Sequence, residues 1–159
     1  MFLPVAVSLL ALAAPLAAPP AGAPKDCGKD LDCLARLAEA CKSGGAQHNT
    51  VLDIDFGGAR ITTSTLMRLE VSPGKGLGCV LHVKPISGDV TTPKEGRRPL
   101  PKEQLEPYRC EYKDGRRIAA VLRAWKRGNY STADTADASC TGGPFGAKAG
   151  EPVLRSTAK

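Results

Sequence analysis

Two stretches of this chain repeat their apolar residues at helical spacing, and the stretch between them alternates. In the first, Leu31, Leu34, Leu37, Ala38 and Cys41 share a face opposite Asp32, Arg36 and Glu39. That spacing predicts an amphipathic helix opened by Asp30 as N-cap and closed near residues 42–45, Lys-Ser-Gly-Gly. From residue 49 the period becomes two: Leu52, Ile54 and Phe56 alternate with Asp53 and Asp55. After Gly57 and Gly58, Ile61, Thr63, Thr65, Met67, Leu69 and Val71 alternate with Thr62, Ser64, Arg68 and Glu70. This is the signature of a hairpin. A turn over residues 72–76 leads to a third strand over 78–84, and a fourth is expected over 108–113. Residues 87–107, with four prolines and many charges, predict a surface excursion whose Leu105 tucks inward. After Asp114 and Gly115, Ile118, Val121, Leu122 and Trp125 cluster on one helical face. Arg116, Arg123 and Arg127 cluster on the other, flanked by Arg117 and Lys126. The expected fold class is α+β: an N-terminal amphipathic helix, an antiparallel sheet of about four strands, and a short basic amphipathic helix near the C-terminus.

The start of the chain adds a compartment. Residues 2–23 carry no charge, are rich in Ala and Leu, and end in Ala21-Gly22-Ala23, so residues 1–23 read as a signal peptide. Ala21 is an alternative cleavage point, because Pro24 follows Ala23. Residues 24–140 then form one domain, and 141–159 a flexible C-terminal tail. All six cysteines, Cys27, Cys33, Cys41, Cys79, Cys110 and Cys140, follow the leader, and an even count in an exported chain predicts a disulfide framework. The expected location is periplasm, cell envelope or secreted space. With no C-x-x-C and only His48 and His82 to add, neither a metal site nor a cofactor is expected.

On one continuous helix Cys33 and Cys41 would stand about 12 Å apart, too far to bond, which leaves the other pairings open. The favoured pair is Cys110 with Cys140, which bracket the basic helix; Cys41 with Cys79 and Cys27 with Cys33 remain. The run Asp26-Cys27-Gly28-Lys29-Asp30-Leu31-Asp32-Cys33, with Cys41 following and Cys-x-Gly at Cys140, resembles small exported bacterial proteins of unknown function. What the resemblance implies is a shared stapled fold; it brings no activity, ligand or catalytic residue.

Candidate chemistry is sparse. Asp53 and Asp55 share one face of a strand, as paired carboxylates would, yet an alternating strand places polar residues toward solvent in any case. His82 lies in the third strand and His48 in a loop, neither beside a free thiol. No G-x-S-x-G is present, and Gly74, Gly76 and Gly78 precede a strand, so they read as a turn. Charge is the one asymmetry. Residues 94–127 hold eleven Lys and Arg against five Asp and Glu, while the rest of the chain balances at eleven against eleven, so the whole net charge of +6 lies in that window. A basic face of Arg116, Arg117, Arg123, Lys126 and Arg127 would suit an anionic envelope polymer, a membrane surface or an acidic protein, with no nucleic acid expected. The sequence names no activity. It favours a non-catalytic exported binding or structural module; the alternative is an enzyme or enzyme inhibitor with a loop-built site.

Overall fold

The computed structural model describes residues 23–145 apart from Leu77. The elements run β1 (Lys25–Asp26), α1 (Leu31–Glu39), β2 (Gly44–Phe56), β3 (Ala59–Pro73), β4 (Cys79–Thr92), β5 (Gly96–Pro99), β6 (Tyr108–Tyr112), α2 (Gly115–Lys126) and β7 (Ser139–Gly142). Short 3-10 turns fall at Lys102–Leu105, Thr132–Thr135 and Gly143–Phe145. The sheet order is β1-β2-β3-β4-β6-β7, with β5 added to β4, and β1 is the strand that pairs in parallel.

Local chemistry explains the elements that the pattern predicted. Gly57 and Gly58 both take positive φ, 62° and 95°, as the tightest hairpin turn requires, and Phe56 pairs with Ala59 across it. Asp30 caps α1 by accepting from the N–H groups of Asp32 (2.9 Å) and Cys33 (3.1 Å); Asp114 caps α2 through Arg116 N–H (2.9 Å). At the far end of α2, Gly128 N–H donates to the Trp125 carbonyl and Asn129 N–H to that of Ala124, a Schellman closure around the left-handed Gly128.

The fold departs from the sequence expectation in several places. First, α1 stops at Glu39 instead of carrying Cys41: Cys41 N–H bonds the Ala38 carbonyl and Lys42 N–H that of Leu37, so Cys41 is itself the left-handed closing residue at φ 47°. Its disulfide to Cys79 holds it there. Second, the described residues form seven strands, because β1, β5 and β7 are short segments that gain order only by pairing with longer neighbours. Third, the expected surface excursion is half sheet. The outer half of β3, Thr62–Leu66, takes residues 87–91 of β4 as its partner, and β5 then returns on β4. Fourth, residues 141–145 belong to β7 and a 3-10 turn, whereas the expected tail beyond them, like all but Ala23 of the expected leader over residues 1–23, lies outside the described residues.

All six cysteines are paired: Cys27 with Cys33, Cys41 with Cys79, and Cys110 with Cys140 across β6 and β7. The core lies between one sheet face and the helices. Ala46, Leu69, Val71, Leu81 and Tyr112 meet Leu34, Ala35 and Ala38 of α1 and Ile118, Ala119 and Leu122 of α2. The helices cover only the end of that face nearest Gly44 and Pro73. Beyond Met67 the same face runs on without them.

Candidate functional site

Where the helices stop, the inner sheet face becomes the floor of a cavity of about 1030 Å³. Thr50 and Leu52 of β2, Thr65 and Met67 of β3, and Val83 and Pro85 of β4 form that floor. Tyr108 and Phe145, rings 5.3 Å apart, stand at one side. Trp125, in the last turn of α2, and Tyr130 close another, with the 3-10 turns around Glu103 and Asp134 completing the rim. Alternation accounts for the floor: residues at even positions of β2 and odd positions of β3 face inward, and here they are Thr, Leu and Met, too small or too few to fill the space.

Asp134 fixes the roof. Its Oδ2 accepts from the Trp125 indole N–H (2.9 Å) and from Ser131 N–H (3.2 Å), while its carbonyl accepts from the Tyr112 hydroxyl (2.9 Å). One short turn is thereby tied to α2, to the core and to its own capping box. His48 Nε2 and the Tyr130 hydroxyl are 3.0 Å apart. Burial pushes the Tyr108 hydroxyl up to about 12 and raises those of Tyr112 and Tyr130. It also lowers His48 below the usual imidazole value, against an opposing backbone hydrogen bond at Trp125. These groups are therefore neutral near pH 7. The charged residues bordering the cavity, Glu103, Glu106 and Asp134, are all carboxylates.

The basic residues of α2 are brought together on one helix but are largely spoken for. Arg123 bonds Glu39 at 2.6 Å and Lys126 bonds Asp32, so the supposed free face is bound to the acidic side of α1. Arg117 reaches Asp137 (3.1 Å) and the Ala133 carbonyl (2.8 Å), and Arg116 folds back on Asp114 (3.0 Å). Arg127 alone of the five has no ion pair among the described residues. Asp53 accepts from Thr62 and from Arg60 (2.6 Å), which holds its carboxyl below the usual range; Asp55 accepts from Gly58 N–H (2.8 Å) in the turn. Both acids serve the hairpin. His82 lies on the opposite sheet face beside Arg109, away from the large cavity, and His48 is in β2 rather than in a loop. Among the described residues no group of His, Cys, Asp or Glu is placed to hold a metal, and no helix is long and apolar enough to cross a membrane.

Sequence reasoning missed the cavity, whose walls come from segments that each read as ordinary core. The available signal was Thr63 and Thr65 at inward positions of β3, where a filled core would carry aliphatic residues. Comparison of the chain with family models, curated proteins and solved structures returned no match.

Proposed function

We propose that this chain is a non-catalytic exported binding module whose ligand is a small molecule with an apolar body, neutral or cationic at its polar end. The observation that carries this reading is the cavity of about 1030 Å³, floored by Leu52, Met67 and Val83 and bordered by carboxylates. Its volume is in the range of small-ligand pockets, and it opens to solvent along one side. Three disulfides in a domain this small fit an oxidising compartment; periplasm, envelope or secreted space is part of the proposal. Contact with an anionic polymer, membrane surface or acidic protein through α2 has less support, because four of its five cations already have partners.

The test is titration with N-phenyl-1-naphthylamine, a neutral apolar probe, beside the anionic 8-anilinonaphthalene-1-sulfonate. Saturable binding of the neutral probe, weaker binding of the anionic one, and loss of about tenfold in affinity on Thr65→Phe, which fills the floor, are expected. No saturable binding, or unchanged binding by Thr65→Phe, overturns the reading.

A further inference from the structure

The outward edge of β2 carries an unused ladder. Cys27 N–H donates to the Gly45 carbonyl (2.7 Å) and Gln47 N–H to the Gly28 carbonyl (2.6 Å), so the odd-numbered residues of β2 aim their backbone groups away from β3. The closing pair Phe56 and Ala59 fixes the even-numbered residues as those bonded to β3. Beyond Gln47 nothing among the described residues occupies that edge. Asn49, Val51, Asp53 and Asp55 therefore present four N–H and four carbonyl groups in a row, with no proline and no register shift between β2 and β3. Edges of this length are ordinarily blunted or covered. This one carries the charges of Asp53 and Asp55, but exposed apolar side chains lie among them: Val51 is 51% exposed, Leu52 41% and Ile54 45%.

We propose that β2 pairs antiparallel with β2 of a second copy of this chain, about a two-fold axis at Leu52. Bonding needs outward residues to face outward residues, so the allowed registers centre on whole positions between Asn49 and Asp55. Charge and ladder length select among them: centred on Val51 no acid faces an acid either, but Asp55 then meets Gln47, whose N–H is already held by the Gly28 carbonyl, and the ladder is shorter. Centred on Asp53, the pairing sets Asp53 against its own copy. Centred on Leu52, it sets Val51 opposite Asp53 and Asn49 opposite Asp55, and no acid faces an acid. Asn49 is suited to that position: its Oδ1 accepts from Ser64 Oγ (3.3 Å), which leaves its amide N–H groups to donate across to the Asp55 carboxylate. On the inner face the same register stacks Leu52 on Leu52 and Ile54 on Thr50. The two acids of the edge thus exclude the registers centred on Asp53 and beyond, and the length of the free ladder excludes those nearer Asn49. Because Leu52 also lines the cavity, the dimer closes the outer wall of each cavity with the other copy.

Sedimentation velocity over a wide range of protein concentration tests this independently of any ligand, so its failure leaves the cavity reading standing. Wild type should form dimers. Val51→Pro removes an N–H that β3 does not use and should be monomeric with an unchanged circular dichroism spectrum, while Val51→Ala remains dimeric. Asn49→Asp places like charges opposite each other twice per dimer, and should raise the dissociation constant roughly tenfold in a manner relieved by salt. This variant decides the case should Val51→Pro disturb the fold. A wild type that is monomeric throughout, a folded Val51→Pro that dimerises as wild type does, or an Asn49→Asp dimer of unchanged affinity overturns the proposal.

Discussion

Replacing Gly115 by alanine sets helix propensity against packing at one atom. Gly115 opens α2, is buried, and has no positive φ, so in an open helix the added methyl would stabilise by about 0.5 to 1 kcal/mol. In this fold a Cβ there would lie 2.8 Å from Cys79 Sγ and closer still to the Ala38 carbonyl oxygen. Neither neighbour can yield cheaply. The Ala38 carbonyl accepts Cys41 N–H in the closure of α1, and Cys41 is bonded to Cys79, so moving either atom moves the end of a helix and a disulfide together. Overpacking of this kind costs about 1 to 3 kcal/mol, more than the propensity gain, and the net expectation is a loss of about 1 to 2 kcal/mol. Urea unfolding followed by circular dichroism reads it as a midpoint lowered by roughly 0.5 to 1 M at the slope usual for a small domain. Ala120→Gly on the exposed side of the same helix should also destabilise, by about 0.5 to 1 kcal/mol. Loss in both directions is what propensity alone cannot produce. A Gly115→Ala protein as stable as wild type, or more so, would falsify the packing argument.

Two further outcomes follow from groups already described. Replacing Cys110 and Cys140 together by serine opens a closure with a sequence separation of 30 and should lower unfolding free energy by at least roughly 3 to 4 kcal/mol; a loss under about 1 kcal/mol in chemical denaturation means that the closure contributes little. His48 should titrate below the ordinary value of 6.5 by NMR, because burial disfavours its cation, so its contribution to stability is full above 6.5 and is lost as pH falls through the folded-state value; Tyr130→Phe should leave the downward shift in place, and titration at or above 6.5 refutes the assignment.

What the sequence made legible was whatever a segment decides for itself. The β2–β3 turn follows from two adjacent glycines, α1 and α2 from their apolar faces and their capping aspartates, and β6 from a short alternating run. The end of α1 was misread because Cys41 continues the apolar period, while its backbone is set by a distant partner, Cys79. Residues 87–99 were misread because Pro93 and Pro99 and the charges around them resemble a loop; pairing with the outer half of β3 outweighs that composition. The helical wheel puts Arg116, Arg123 and Arg127 on one side of α2, but a wheel cannot reveal that Glu39 and Asp32 of α1 pair with Arg123 and Lys126. The cavity was the least legible feature, since it exists only between elements.

All three disulfides lie at the end of the sheet that the helices cover, and none reaches the outer halves of β2, β3, β4 and β5, which are held by backbone ladders and by the Arg60–Asp53 and Arg97–Asp89 pairs. The β2–β3 hairpin can therefore grow or shrink by one residue in each strand without displacing a cysteine. Among chains sharing this scaffold, the intervals between Cys27, Cys33 and Cys41 should stay fixed, whereas the interval from Cys41 to Cys79 should vary in steps of two.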